Sequence, residues 1–147
     1  MPFRFKDCID KGLLRKIPAS KNNATRSINK AEKWLKESEK VFKSEAYDSS
    51  VLSSYLTMFH SARAVLFFDG YREKSHACVA RYLEERYVKT KKLEIKWVEL
   101  LDHHREIRHN NQYDLSFFST DDDAKNALES AKQFLERMKQ LIGSFEK

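Results

Sequence analysis

The chain has 147 residues, the length of one domain, and its 41% of hydrophobic residues can fill a sizeable core, which excludes a disordered protein. No apolar run approaches the roughly 20 residues that cross a bilayer, and the N-terminus lacks a signal-peptide core, so we expect a cytoplasmic protein with no membrane segment. The net charge of +6 permits phosphate-rich or acidic partners but does not require them, because many solvated helix faces carry similar charge.

Few residues that interrupt helices are present. The sequence has only three glycines and two prolines, and both prolines lie before residue 19. Long periodic stretches with few turn formers favour helices over a β-sandwich or barrel. The two cysteines, Cys8 and Cys78, have neither metal-ligand spacing nor a disulfide-rich context, which favours a reducing, intracellular location.

Residues 1–25 are predicted to form an N-terminal arm, separate from a helical domain over residues 26–147. The apolar residues of the arm are compatible with a short helix or with an extended segment that ends near Pro18. Such an arm can pack on the helical body or contact another chain, and the pattern does not choose between these alternatives.

Five amphipathic helices are predicted in the rest of the chain, because apolar residues recur there at helical spacing. Gly70 is expected to end the second helix in a left-handed conformation, and Thr120 with Asp123 is expected to cap the last one. Amphipathic helices with short connections predict an all-α fold, an up-and-down antiparallel bundle of about five helices. The expected helices cover residues 25–46, 48–68, 75–88, 93–109 and the stretch that opens at Thr120.

The segment from Asp102 to Asp114 concentrates polar chemistry at the end of the fourth helix. It holds three of the five histidines together with two arginines. His104 and Arg108 are four residues apart and therefore share a helix face, which continues an apolar stripe. An arginine on such a face needs a partner in a cleft or across a subunit interface. The alternative is a solvated helix C-terminus, where cations interact favourably with the helix dipole.

The connection over residues 110–119 is longer than the others and holds three aromatic side chains. Because loops on a rigid scaffold often carry function, it is a candidate binding surface. The chain has no phosphate-binding Gly-rich loop, no paired-Cys motif and no His-Glu-x-x-His. The three acids at positions 121–123 point about 100° apart on a helix and do not easily converge on a metal. We therefore expect neither a metal nor a cofactor.

An ordered set of motifs between Lys30 and Phe145 resembles the HEPN family (higher eukaryotes and prokaryotes nucleotide-binding), in a prokaryotic branch. That branch carries a Tyr-x-x-x-Phe-His-Ala-Ala-type helix, a Gly-x-x-x-Lys-Thr-His element, an Arg-x4-Tyr-Asp element and a final Ala-x-x-Phe-Leu pattern. The matching residues here are Ser53 to Leu66, Gly70, Lys74-Ser-His76, Arg108 to Asp114 and Ala131 to Leu135.

The resemblance implies a helical bundle that forms a homodimer and holds RNA or a nucleotide in a cleft between its subunits. It also implies a minimal nucleotidyltransferase antitoxin as partner, in a toxin–antitoxin-like system. The residues that we expect to bind RNA or a nucleotide are Arg108, Asn110, Tyr113, Lys74, His76 and His104.

The catalytic version of the family carries Arg-x4-6-His and cleaves RNA without a metal. Its arginine can hold the scissile phosphate, and its histidine can handle the 2′-hydroxyl proton. Here Arg108 matches the arginine, but Tyr113 stands at the histidine position, and a reference pKa near 10 makes tyrosine a poor base at neutral pH. The candidate catalytic residues are Arg108, His109 and Tyr113.

A binding protein is therefore the expected function, because a tyrosine can still donate to a phosphate or stack on a base. Two alternatives stay open. One is an active metal-independent endoribonuclease toxin, and the other is a non-catalytic dimeric interaction module.

Overall fold

The computed structural model describes residues 4–145, which form six α-helices, one π-helical turn and a two-stranded sheet. The predicted helical bundle is confirmed, whereas the small sheet was not anticipated. In chain order the elements are α1 (Phe5–Asp10), β1 (Leu14–Lys16), α2 (Lys21–Lys43), α3 (Tyr47–Asp69), β2 (Tyr71–Glu73), α4 (His76–Leu83) with the π-helical turn Glu84–Val88 that continues it, α5 (Ile95–Tyr113) and α6 (Asp121–Phe145).

The helix α3 is the centre of the bundle, where it packs against α2, α6, α5 and α4. By length and composition alone it could cross a membrane, since an 18-residue window has a mean hydropathy of 1.2. However, 67% of that window is buried inside the molecule. Its apolar surface is therefore covered by the surrounding helices, as expected of a core helix.

The N-terminal residues pack on the helical body. Cys8 in α1 is fully buried and Leu14 in β1 is 4% exposed, and both belong to the main core. The strand β1 pairs antiparallel with β2, so that Arg15 lies directly opposite Arg72. The helix α2 then begins at residue 21 rather than 25, because the Ser20 hydroxyl accepts a hydrogen bond from the backbone N–H of Asn23 at 3.0 Å.

A disulfide joins Cys8 to Cys78, and the expectation of unpaired cysteines in a reducing compartment was wrong on this point. Their Cα atoms are 5.9 Å apart although 70 positions separate them in the chain. The packing of α1 against α4 brings the two thiols together, and no local pattern in the sequence predicts that contact. The disulfide ties the N-terminal helix to the helix that begins at His76.

The predicted ends of two helices are confirmed. Gly70 follows α3 with φ +91°, and a Cβ atom there would lie 2.7 Å from the Ile17 carbonyl oxygen. At the start of α6, the Asp123 N–H donates to the Thr120 hydroxyl at 3.1 Å, and the Thr120 N–H donates to the Asp123 carboxylate at 2.9 Å. This reciprocal pair is a capping box.

The end of the fourth predicted helix was placed too early. The helix α5 continues to Tyr113 instead of ending at residue 109, and the Asp114 N–H still donates to the Asn110 carbonyl at 2.9 Å. Arg108 to Tyr113 therefore lie on a helix and not in a polar turn. The predicted loop over residues 110–119 is correspondingly shorter and begins at Asp114.

Candidate functional site

A cleft of ≈ 690 Å³ lies between the start of α4 and the last turns of α5. Its wall is rich in cationic and imidazole side chains. The lining residues are Ser75, His76, Ala77, Arg105, Glu106, Arg108, His109 and Asn110.

Arg108 is held in this cleft by an aromatic ring rather than by a carboxylate. Its guanidinium carbon lies 5.1 Å from the centroid of the Tyr55 ring, in the range of a cation–π contact. One terminal nitrogen donates to Gln112 Oε1 at 3.0 Å. The Nε atom is buried and has no hydrogen-bond partner within residues 4–145. The charge of Arg108 is therefore not neutralised by any acid in the described part of the chain.

Arg105 lines the same cleft one turn earlier on α5. Its Nη2 atom lies 3.4 Å from one oxygen of Asp102, whose other oxygen is bound by Arg81. Two guanidinium groups thus share the carboxylate of Asp102, and Arg81 lies in addition 3.5 Å from a carboxylate oxygen of Glu84. The Nε atom of Arg105 is also buried without a partner in residues 4–145. Sequence reasoning did not select Arg105, although its spacing of three from Arg108 predicts a shared face.

His76, the first residue of α4, lies against two aromatic rings of α3. Its Nδ1 atom is 2.9 Å from the Tyr55 hydroxyl oxygen, and its ring stacks on Phe59 with centroids 3.9 Å apart. The Nε2 atom forms no hydrogen bond with residues 4–145, and His76 is one of the residues that line the cleft.

Burial is the main cause that lowers the pKa of His76 to about 4, and the nearby charges of Arg108, Arg105 and Arg63 lower it further. The imidazole is therefore neutral at pH 7. Burial also raises the pKa of the Tyr55 hydroxyl to about 12, although Arg108 and Arg105 oppose that shift. The pair thus consists of a neutral histidine and a protonated tyrosine.

The other predicted site residues are distributed unevenly. His109 and Asn110 line the cleft, whereas Tyr113 lies about one turn further on, 65% exposed, with its ring 4.9 Å from that of His109. Lys74 is exposed and comes directly before the lining residue Ser75.

His104 lies apart from the cleft, in the interior. It is 3% exposed, and burial lowers its pKa to about 4. Its Nε2 atom has no partner within residues 4–145. The imidazole therefore contributes to the core on the buried side of α5.

An exposed apolar patch adjoins the end of α5. It consists of Tyr113, Leu115 and Phe118, which are 65%, 94% and 75% exposed. The connection that carries it is fixed at its far end, because the Ser119 N–H donates to the carboxylate of Asp48 at 2.8 Å. The far end of the connection is therefore tied to the first turn of α3.

Comparison with known proteins gives two findings. The model of the HEPN domain family matches residues 24–141, which is most of the chain. A protein of Methanocaldococcus jannaschii that is named as a candidate toxin is 28% identical over 122 residues. That similarity covers 83% of this chain and 83% of the relative.

Proposed function

Because the chain belongs to the HEPN domain family, we propose that it is a toxin-like protein that binds RNA or a nucleotide in the cleft around Arg108 to Tyr113. It acts as a homodimer, together with a minimal nucleotidyltransferase in a toxin–antitoxin-like system. The observation that carries this proposal is the pair of arginines, Arg105 and Arg108, that line one open cleft, where Arg108 has no acid partner within residues 4–145.

A phosphate is the ligand chemistry that this pair favours. Phosphate oxygens accept hydrogen bonds from a guanidinium in a bidentate arrangement. Glu106, the one carboxylate among the lining residues, is exposed and makes no ion pair within residues 4–145.

The homodimer is proposed from the apolar patch of Tyr113, Leu115 and Phe118. Large apolar side chains as exposed as these mark an interaction surface when they are adjacent. A second copy that covers the patch would bring its own α5 end beside the first cleft.

A cytoplasmic location is part of the same proposal, because an RNA ligand and a nucleotidyltransferase partner are found there.

The test is binding of labelled RNA and of a mononucleotide in EDTA, with wild-type protein and with Arg108→Ala. A matched control is Arg26→Ala, which removes an exposed arginine of α2 far along the chain from the cleft residues. We expect the Arg108 variant to lose affinity and the Arg26 variant to keep it. If Arg108→Ala instead weakens dimerisation and leaves both affinities unchanged, the interaction module is the correct function.

An active endoribonuclease is the second candidate, and His76 is the observation that favours it. The family position for the catalytic histidine is occupied by Tyr113, yet His76 lines the same cleft as Arg105 and Arg108. If Nδ1–H donates to the Tyr55 hydroxyl, Nε2 is left as an acceptor. A histidine from α4 then takes the role that α5 lacks, as a weak base because burial lowers its pKa to about 4.

In that reaction the 2′-hydroxyl proton moves to Nε2 of His76 and the 2′-oxygen attacks the adjacent phosphorus. The bond from phosphorus to the 5′-oxygen breaks, and the departing oxygen takes a proton from water. The two guanidinium groups stabilise the negative charge that builds on the phosphate oxygens. The products are a 2′,3′-cyclic phosphate and a 5′-hydroxyl, and no metal takes part.

Product analysis in EDTA separates the two candidates. Cleavage with cyclic-phosphate ends that is lost in His76→Asn, while RNA affinity is retained, supports the ribonuclease. His109→Asn and Tyr113→Phe are the comparisons, since those residues are the other candidates for the proton transfer. RNA that stays intact with wild-type protein leaves binding as the function.

A further inference from the structure

A row of cations leads away from the cleft along the small sheet. Arg15 lies directly opposite Arg72 in the antiparallel ladder, and Lys74 follows two positions later. Arg15 and Arg72, which lie directly opposite each other, share one face of the sheet, and Lys74 lies just beyond the end of β2. All three are exposed. We call Arg15, Arg72 and Lys74 the basic ribbon.

The charges of the basic ribbon are not neutralised. None of its three side chains forms an ion pair or hydrogen bond in the part of the chain that the structure describes, residues 4–145. The carboxylates nearest in sequence to Arg72 and Lys74 are used elsewhere: Glu73 pairs with Arg63 at 2.8 Å, and Asp69 accepts from the hydroxyls of two tyrosines. Like charges directly opposite each other in a ladder destabilise the sheet, and within residues 4–145 no ion pair of Arg15 or Arg72 offsets this cost.

The basic ribbon is also held rigidly relative to the cleft. The Ile17 N–H donates to the Gly70 carbonyl at 2.9 Å, and the Lys74 N–H donates to the Leu13 carbonyl at 2.8 Å. Lys74 then leads directly into Ser75 and His76 on the cleft wall. Because the backbone of the basic ribbon is already ordered, only its side chains lose conformational freedom when a ligand binds.

We propose that the basic ribbon binds the backbone phosphates of an RNA strand that extends out of the cleft. The ligand is then a polynucleotide rather than a mononucleotide, with one phosphate at Arg105 and Arg108 and the following ones along Lys74, Arg72 and Arg15. This inference rests on the proposed function and narrows its ligand to RNA.

RNA fits the basic ribbon better than an acidic protein does. Arg15 and Arg72 lie side by side on the sheet and Lys74 follows within two positions, so a backbone with one charge per nucleotide meets these cations one after another. Lys74 leads directly into a cleft that is lined by the guanidinium groups of Arg105 and Arg108. A single strand therefore satisfies both features at once.

The test compares two RNA lengths and several salt concentrations. Wild-type protein and the double variant Arg15→Gln/Arg72→Gln are titrated with a dinucleotide and with an RNA of about twelve nucleotides, a length within the range that single-strand sites cover. Each phosphate contact with a single strand contributes about 0.7 to the slope of log K against log salt, so the variant should lower that slope by about 1.4 for the long RNA. We expect its affinity for the dinucleotide to stay unchanged.

The matched control is Lys36→Gln/Lys40→Gln, which removes the same charge from exposed positions of α2. It should leave the slope for the long RNA within a few tenths of the wild-type value. If this control lowers the slope as much as the ribbon variant does, the effect is one of net charge and the inference is overturned.

Three further outcomes are distinguishable. Wild-type protein that binds neither RNA contradicts the proposed function, and the inference fails with it. If wild-type protein binds both RNAs and the ribbon variant has the same slope as wild type, the inference is overturned while the proposed function stands. Folding is checked by the melting temperature, which should stay equal or rise because the variant removes a like-charge pair. If the melting temperature of the double variant falls, the single variant Arg72→Gln is titrated instead, and it should lower the slope for the long RNA by about 0.7.

Discussion

The guanidinium of Arg108 lies over the ring of Tyr55, and the hydroxyl of the same tyrosine contacts His76. One side chain of the core helix thus holds both a cation and an imidazole of the cleft. Tyr55 is 1% exposed, so its ring cannot move without disturbing the core.

Substitutions of Tyr55 should separate the two contacts. Tyr55→Phe keeps the ring below Arg108 and removes the hydroxyl, so we expect a loss of unfolding free energy of about 1 kcal/mol, the usual value of one hydrogen bond. Tyr55→Leu also removes the cation–π contact and leaves a cavity, for a loss of about 3 kcal/mol or more. Urea unfolding measures both. Equal losses in the two variants would show that the ring of Tyr55 adds nothing to stability beyond its hydroxyl, which would contradict the cation–π contact with Arg108.

Stability should fall as the solution is acidified from about pH 6.5 to pH 4. The pKa values of His60, His76 and His104 are lowered to about 4, mainly by burial, from an ordinary value of 6.5. The unfolded chain therefore binds protons before the folded chain does, so stability is full above pH 6.5 and declines toward pH 4.

Urea unfolding at pH 7 and pH 5 checks this decline. His76→Gln should reduce the difference between the two pH values, because one of the three groups is gone. His103→Gln is the control, since its side chain is exposed on α5. A wild-type protein equally stable at both pH values would contradict the buried, neutral state of these histidines.

Loss of the disulfide should destabilise the fold strongly. The bond between Cys8 and Cys78 closes a long loop, and removal of a native disulfide typically costs about 2–5 kcal/mol. We expect dithiothreitol to lower the melting temperature of the wild-type protein and to have no effect on Cys8→Ala/Cys78→Ala. Two titratable thiols in the unfolded, unreduced wild-type chain would disprove the bond.

Two glycines should respond to alanine in opposite directions. Gly70→Ala places a Cβ atom 2.7 Å from the Ile17 carbonyl oxygen at φ +91°, so we expect a loss of more than about 1 kcal/mol. Gly143 lies in α6 with nothing within 4 Å of such an atom, and alanine there should stabilise by about 0.5–1 kcal/mol. Thermal melts of the two variants provide the comparison, and shifts of the same sign would contradict the left-handed turn at Gly70.

Local signals were sufficient for the main helices. Apolar periodicity predicted the helices of the bundle, and single residues with a specific role predicted their ends, as with Gly70 and the Thr120–Asp123 box. The strands β1 and β2 have only three residues each, too few for an alternating pattern to stand out. The end of α5 was misjudged because the polar residues after Arg108 read equally well as helix surface or turn.

The cleft was predicted less completely than the fold. Arg108, His109 and Asn110 were found from their own segment, but the contribution of Arg105 and the orientation of His76 depend on contacts between α3, α4 and α5. For His104 the sequence suggested too much. Its spacing of four from Arg108 suggested a shared site, but its side chain is buried in the core. Contacts between distant parts of a chain leave no periodic trace in a single sequence, and the disulfide is a further case.

The covalent link between α1 and α4 changes what a cut in the chain would do. Any single cleavage between residues 8 and 78 opens a ring instead of releasing a piece, so both fragments stay attached and migrate as one species without reductant. The segment inside this ring includes Arg15, Arg72 and the whole of α3. The chain is therefore protected against losing these parts to a protease that nicks the exposed turn between α2 and α3.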